Sequence, residues 1–140
     1  RNQEKRLGVR YVSLDNLFRT SDVVSIHSPY TPQTHEIINL KLLNKMKRTA
    51  FLINTARGKI VNEKDLAIAL KRKIIAGAGI DVFQKEPINS KHPITKMNNV
   101  VLMPHSGSAT IETRKKMAEI AVKNLQLSLA GKKPIYQVIV

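Results

Sequence analysis

Three short apolar runs, at residues 50–54, 75–80 and 100–103, are each followed by a side chain that could take part in binding a small acid or in transferring a proton to it. These side chains are Arg57, Glu86 and His105, in that order. An arginine can hold a carboxylate with two parallel hydrogen bonds, and a histidine can give or take a proton near neutral pH. A carboxylate beside that histidine would favour its charged form. Together the three residue types suit the reduction of a 2-oxo acid, for which an organic cofactor must supply the hydride.

Each of these residues also has an ordinary structural explanation. A single arginine after a strand is usually a surface charge, a single histidine usually packs or caps, and a glutamate before a proline usually lies in a solvated loop. Asp81 can cap a turn at the end of a strand or bind a carboxamide. The stretch 77–79 has no third glycine at the spacing of a dinucleotide-binding turn, so it indicates close backbone packing. The functional interpretation therefore requires a fold that brings the residues together.

The elements that would position these residues alternate along the chain. Short runs rich in β-branched residues predict strands at 9–12, 23–27, 50–54, 75–80 and 100–103. Helical spacing and N-cap residues predict helices at 14–19, 40–46, 63–72 and 110–130, the first three capped by Ser13, Asn39 and Asn62. This alternation indicates an α/β fold around a mainly parallel sheet. Because parallel strands end at one edge of a sheet, the four polar residues named above should converge there.

The composition fits one globular domain. Its 140 residues are 42% apolar, which is enough to bury a core without disulfides or a metal ion. The sequence has no cysteine, no apolar run of membrane-spanning length and no secretory signal, so we expect a cytoplasmic protein. The net charge of +14 would suit nucleic acid, but the basic residues are spread along the chain. We therefore rank specific nucleic-acid binding below an enzymatic role.

Four motifs occur in an order that resembles the D-isomer-specific 2-hydroxyacid dehydrogenases. They are Ser28–Thr34, Leu52–Gly58, Gly79–Phe83 with Glu86–Pro87, and Pro104–Thr110. The resemblance covers essentially the whole chain and implies a Rossmann-like, doubly wound, mainly parallel sheet. It also implies that Arg57 binds the substrate carboxylate and carbonyl, that His105 is the acid/base group, and that Glu86 keeps His105 protonated for reduction.

The same resemblance implies a set of residues around an NAD or NADP cofactor. Asp81 would hold the nicotinamide carboxamide, and His105 and Arg57 would border the nicotinamide. The remaining residues of this set are Pro29, Tyr30, Thr31, Thr34, Thr55, Ala56 and Gly107. Arg1 stands where relatives that prefer NADP place an arginine for the ribose phosphate, which favours NADP. No metal site is expected.

The resemblance further implies that residues 1–140 form the C-terminal part of an NAD(P)-binding domain. The strand and glycine-rich turn expected before Arg1 are missing, as is the N-terminal half of the substrate domain. The sheet should therefore be incomplete, and the isolated chain inactive, since no helix N-terminus remains for the pyrophosphate. Residues 110–130 would form a long interdomain helix and residues 132–140 a tail.

The residues after His105 narrow the expected activity. The segment Gly107–Thr110 resembles the glyoxylate, hydroxypyruvate and 2-ketogluconate reductase branch, although Ser106 replaces the apolar residue usual at its position. We expect an enzyme that reduces a small 2-oxo acid to the D-2-hydroxy acid and forms a homodimer. The alternative is a binding module of the same fold that senses the cofactor, as the related corepressors do. Their motif after the histidine is usually bulkier and aromatic, so this sequence favours the enzyme.

Overall fold

A computed structural model describes residues 2–137 and divides after His105 into two units. The first unit contains the helices α1 (Asn2–Leu7), α2 (Leu14–Thr20), α3 (Leu40–Leu43) and α4 (Glu63–Lys71). It also contains the strands β1 (Val23–Ile26), β2 (Phe51–Asn54), β3 (Gly77–Ile80) and β4 (Val100–Leu102). Two short 3-10 helices lie at Gly58–Ile60 and Pro93–Lys96. The second unit contains one long helix, α5 (Ile111–Leu129).

The four strands form one parallel sheet in the order β1-β2-β3-β4. Val24, Leu52, Ala78 and Val100 lie side by side across it, each in register with the next. The order follows the sequence in one direction, with α3 and α4 in the first two crossovers and a 3-10 helix in the third. The predicted α/β fold with a parallel sheet is therefore confirmed. The strands are somewhat shorter than the predicted runs.

The core lies between one face of this sheet and the helices. Alternate residues of β1 and β2 point into it, and residues of α2, α3 and α4 meet them from the other side: Phe18, Leu42, Leu43, Leu66 and Leu70. Burying each such side chain contributes about 1.5–3 kcal/mol before conformational entropy is subtracted. The helices begin where Ser13, Asn39 and Asn62 accept hydrogen bonds from backbone amides, which confirms the three predicted N-caps. The fold thus fixes the ends of the strands from which the polar loops leave.

The predicted strand at 9–12 is wrong. These residues make no strand pairing, and Val9 and Tyr11 are 57% and 83% exposed. The backbone N–H of Tyr11 instead donates to the side chain of Glu4, at 2.7 Å. A strand needs a hydrogen-bonded neighbour, and among residues 2–137 no strand lies beside the outer edge of β1. An apolar run alone was not sufficient evidence for a strand.

The helix predicted at 40–46 is also shorter than expected. It ends at Leu43, and the backbone amides of Lys45 and Met46 then bond to carbonyls three residues earlier. Such bonds form tight turns at the end of a helix. The helices predicted at 63–72 and 110–130 agree with α4 and α5 to within one residue at each end.

The second unit is built on α5. Thr110 caps its N-terminus by accepting from the amide of Thr113, and Gly131 follows its end with a φ of 67°. Asn124 accepts a hydrogen bond from the amide of Ile135, which ties the following segment back to the helix. No residue of α5 is buried. Between residues 2 and 137, no helix has both the length and the apolar character needed to cross a membrane.

Candidate active site

A cleft of about 820 Å³ opens at the carboxyl ends of the strands. Its lining includes seven of the residues predicted to form the site: Pro29, Tyr30, Thr55, Ala56, Arg57, Glu86 and His105. They come from four loops, which leave β1, β2, β3 and β4. The parallel sheet thus brings together side chains that lie far apart in the sequence, as the strand pattern predicted.

Asn54, the last residue of β2, shapes the loop that carries Arg57. Its side chain is buried, and its amide oxygen accepts from the backbone N–H of Ala56 at 3.1 Å. Its amide nitrogen donates to the carbonyl of Arg57, also at 3.1 Å. A buried amide needs partners for both its oxygen and its nitrogen. The Asn54 side chain finds both in the backbone of the turn and thereby holds its conformation. The Arg57 side chain extends from this turn and donates to the carbonyl of Ala56.

Gly58 brings the Arg57 loop against the loop that follows β3. A Cβ atom placed on Gly58 would overlap the carbonyl group of Phe83 and lie 2.5 Å from the amide nitrogen of Gln84. Only hydrogen fits there, because both groups belong to the backbone and cannot rotate away. The loops carrying Arg57 and Glu86 are thus in direct backbone contact.

His105 and Glu86 form a hydrogen-bonded pair at the cleft. The distance from His105 Nδ1 to Glu86 Oε2 is 2.7 Å, and their side chains are 51% and 38% exposed. The other oxygen of Glu86 accepts from the backbone N–H of Phe83 at 2.9 Å. The carboxylate is therefore held from two sides and directed at the imidazole.

These contacts change the acidity of Glu86. The hydrogen bond with His105 lowers the pKa of the Glu86 carboxyl below its ordinary value, and the bond from the Phe83 amide lowers it further. Burial and the nearby Asp81 act in the opposite direction but do not reverse the shift. Glu86 is therefore ionised at neutral pH. The imidazole of His105 therefore faces a charged carboxylate.

The loop after β1 is folded by two threonines. Thr34 Oγ1 donates to the carbonyl of Pro29 at 2.9 Å and accepts from the amide of Thr31 at 2.7 Å. Neither threonine lines the cleft, whereas Pro29 and Tyr30 do. The Tyr30 ring meets His35 edge-on, and Lys59 Nζ lies 5.9 Å from its centre. Thr31 and Thr34 thus shape the part of this loop that faces the cleft.

Of the remaining predicted site residues, Asp81 does not line the cleft. Asp81 follows β3, is 7% exposed, and donates its backbone N–H to the carbonyl of Asn54 at 3.0 Å. Gly107 belongs to the second unit. Arg1 lies outside the described residues, so its predicted contact with a ribose phosphate stays a prediction.

The cleft also contains residues that the sequence did not single out as site residues: His27, Ser28, Gly58, Lys59, Phe83 and Gln84. All six lie within two positions of a predicted site residue. Lys59 adds a second positive charge near Arg57, which favours an anionic ligand. Ser28, Gly58 and Phe83 lie inside the motifs themselves. Extending each motif by one residue would also have included the other three. Within residues 2–137, no group of three potential metal ligands occurs.

The known proteins to which the chain is similar in sequence and in structure include glyoxylate reductases. The chain is 52% identical over 126 residues to a glyoxylate reductase of Thermofilum pendens, covering 90% of this chain and 37% of that protein. Among solved structures, it is similar to a glyoxylate reductase from Paecilomyes thermophila, with a TM-score of 0.90, 35% identity and coverage of 97% and 41%. An acyclic imino acid reductase in complex with NADPH and D-Arg has a TM-score of 0.86 and 36% identity, with coverage of 94% and 42%.

The chain thus spans about two fifths of the length of these proteins. The family model described as D-isomer specific 2-hydroxyacid dehydrogenase, NAD binding domain, matches residues 1–107. This match covers most of the chain and confirms both the Rossmann-like fold and the resemblance found in the motifs. The chain belongs to the D-isomer-specific 2-hydroxyacid dehydrogenases.

Proposed function

We propose that the protein carrying this chain reduces a small 2-oxo acid to the corresponding D-2-hydroxy acid. Glyoxylate, hydroxypyruvate and 2-ketogluconate are the candidate substrates. The observation that carries the proposal is the pair of His105 and Glu86, 2.7 Å apart, on the same cleft as Arg57. The relative named glyoxylate reductase, at 52% identity, supports glyoxylate as the first substrate to test.

Arg57 is the residue we assign to the substrate carboxylate. Its guanidinium presents two parallel donors that match the two oxygens of a carboxylate. Lys59, on the same cleft, adds attraction for the anion without the same directional match. The substrate would then be oriented by Arg57, with its carbonyl toward His105.

His105 is the residue we assign to proton transfer. Its Nδ1 atom is engaged with Glu86, so Nε2 is the nitrogen that would donate a proton to the carbonyl oxygen of the substrate. Glu86 keeps the imidazole charged and fixes its orientation. In the reverse direction the same nitrogen would accept the proton of the hydroxyl group. A bound nicotinamide supplies the hydride.

The lining of the cleft fits a nicotinamide cofactor. Pro29 and Ala56 offer apolar surface for a flat ring, and Thr55 adds a hydroxyl group that can donate or accept. Asp81, Thr31, Thr34, Gly107 and Arg1 remain predictions as cofactor residues. We propose NADP over NAD, because Arg1 would favour a ribose phosphate.

The wider organisation is also a proposal. Residues 110–130 would form an interdomain helix, consistent with the 19-residue α5, and residues 132–140 a tail. We expect a homodimer, as is common in the family, and the cytoplasm as the compartment. Sedimentation of the protein at several concentrations would measure the oligomeric state. A monomer at every concentration would contradict the dimer.

Substitution of Arg57 provides the main test. In Arg57→Ala, kcat/KM for glyoxylate should fall by about 100-fold or more, because the charged bidentate contact with the substrate is lost. Lys64→Ala is the matched control, since Lys64 is exposed on α4, whereas Lys59 lines the cleft and is unsuitable. Both variants are assayed with NADPH and with NADH. Equal losses of activity in the two variants would refute the role of Arg57. If the unsubstituted protein binds the cofactor but shows no turnover, a cofactor-sensing binding module is favoured instead.

A further inference from the structure

The loop between β3 and the second 3-10 helix is held by two carboxylates that accept from consecutive backbone amides. The amide of Phe83 donates to Glu86 Oε1 at 2.9 Å, within the loop itself. The next amide, of Gln84, donates to Glu63 Oε1 at 2.6 Å. Glu63 is the first residue of α4 and is 21 positions earlier in the chain. One end of the Glu86 loop is therefore attached to the N-terminus of a helix.

Glu63 is itself well supported. Its side chain is only 13% exposed, and Oε2 lies 3.5 Å from His92 Nε2. The amide of Ile94 donates to the other ring nitrogen of His92, at 3.4 Å, so Nε2 is the nitrogen that carries a proton toward Glu63. The Glu63 carboxylate thus has a fixed orientation. A fixed acceptor can hold an amide at a fixed place.

The side chain of Gln84 attaches the same residue at a second point. Its Nε2 atom donates to Glu36 Oε1 at 2.9 Å and to the carbonyl of Val61 at 3.0 Å. Glu36 also accepts from Asn62, the N-cap residue of α4, at 2.9 Å. Gln84 is therefore connected to the start of α4 through both its backbone and its side chain.

Gly58 limits the position of the peptide bond between Phe83 and Gln84 from the side opposite Glu63. A Cβ atom at Gly58 would overlap the Phe83 carbonyl group, so the backbone of the Arg57 loop lies directly against it. The peptide between Phe83 and Gln84 is confined between Gly58 and Glu63. Because Glu86 follows two residues later, a displaced peptide would move its carboxylate relative to His105.

We propose that Glu63 is a positioning residue for acid/base catalysis. It fixes the Gln84 amide and thereby holds Glu86 at hydrogen-bonding distance from His105. This inference rests on the proposed function, in which the pair of His105 and Glu86 controls proton transfer. Glu63 does not line the cleft and would touch neither substrate nor cofactor.

The charged groups around the pair are unchanged by a substitution at Glu63. Asp81 acts on Glu86 from the end of β3, and Arg57, Lys59 and His27 line the same cleft from the loops after β1 and β2. His92 is the titratable group that faces Glu63. The substitution Glu63→Gln separates two effects, because glutamine keeps an acceptor oxygen but lacks the charge. It therefore tests the loss of charge without the loss of the acceptor.

The test compares Glu63→Ala and Glu63→Gln with Asp65→Ala. Asp65 lies on the same turn of α4 and also accepts from a backbone amide, but this amide belongs to Leu40, the first residue of α3, at 2.8 Å. The readouts are the alkaline limb of kcat/KM for glyoxylate reduction and the titration of the His105 imidazole followed by NMR. The NMR signal is identified by its loss in His105→Gln and requires no cofactor.

We expect Glu63→Ala to move both readouts to lower pH by about half a unit, because a displaced Glu86 carboxylate would stabilise the imidazolium less. Glu63→Gln should remain near the wild type, and Asp65→Ala should lose stability without moving either readout. If Glu63→Ala does not fold, Glu63→Asp takes its place, since its shorter side chain withdraws the acceptor from the Gln84 amide.

The outcomes separate this inference from the proposed function. If Glu86→Gln moves both readouts and the alanine or aspartate variant at Glu63 moves neither, the positioning role is wrong and the proposed function stands. If Glu63→Gln shifts as far as Glu63→Ala, the charge acts on the pair from a distance, and the positioning role is again overturned. If Glu86→Gln moves neither readout, both the pair and the positioning role fail.

Discussion

His105 adopts a backbone conformation that is unusual for a residue with a side chain. Its φ is 55°, in the left-handed region, where residues other than glycine incur a cost of about 1–2 kcal/mol. Such residues concentrate at functional sites, where the surrounding structure holds them in place. Here the hydrogen bond to Glu86 is one of the contacts that hold the imidazole. The local geometry of His105 therefore agrees with a role that depends on orientation.

The coupling of Glu86 to His105 predicts a specific change in pH dependence. In Glu86→Gln the shape of the side chain is retained but its charge is lost, so the imidazolium is less stabilised. The alkaline limb of kcat/KM for reduction should move to lower pH, while activity at acidic pH partly survives. His105→Gln is the comparison variant, and its activity should be low at every pH because no proton donor remains. An unmoved limb in Glu86→Gln would return Glu86 to the role of a solvated loop residue.

The lowered pKa of Glu86 also predicts how the fold responds to acid. A carboxyl group whose pKa is depressed by folding stabilises the folded state above its unfolded value, ordinarily 4.5, and this contribution disappears as the pH falls through the folded value. The stability lost in Glu86→Gln should therefore be greatest near neutral pH and vanish in strong acid. Urea unfolding from pH 3 to 7 measures the difference. A constant difference across this range would show that the shift is absent.

At the scale of the elements, Gly58 makes the sharpest prediction. Gly58→Ala should destabilise the protein by about 1–3 kcal/mol, the usual effect of overpacking, because the added methyl group meets the backbone of Phe83. It should also reduce activity, since the loops of Arg57 and Glu86 are forced apart. Gly79→Ala is the control, because its added Cβ meets only the flexible end of Ile53, at 3.0 Å. Thermal unfolding of both variants measures the effect. Equal losses of stability in the two variants would contradict this account.

The sequence predicted the arrangement of strands much better than the contacts between loops. The apolar runs and N-cap residues located four of the five predicted strands and the starts of α2, α3 and α4, because these features are local. The run at 9–12 failed because strand formation also requires a neighbouring strand. The contacts of Gly58, Glu63 and Gln84 were not predicted, because they form only in the folded protein between different loops. No local pattern shows that the Gln84 amide will find a carboxylate 21 residues earlier.

At the scale of the whole molecule, the dominant property is a net charge of +14. Some of the basic side chains are paired with acids, as Lys45 and Arg19 are with Asp15, and Lys47 is with Asp22. Others are exposed in short groups at 71–73 and 114–116. Charge of this kind attracts polyanions without selecting a sequence, since selection needs contacts to base edges. The charge therefore predicts weak attraction to polyanions and gives no reason to expect a specific nucleic-acid partner.

We accordingly predict that duplex DNA binds weakly and without sequence preference. At physiological salt the dissociation constant should lie at about 10⁻⁴ to 10⁻⁶ M and rise steeply with salt, because binding releases counterions. Two double variants, Lys71→Ala with Lys73→Ala and Lys115→Ala with Lys116→Ala, remove equal charge from the first and the second unit. If attraction is nonspecific, they should weaken binding to a similar degree, as measured by fluorescence anisotropy at several salt concentrations. Submicromolar binding at physiological salt that depends on sequence and is lost in one variant alone would instead identify a true nucleic-acid site.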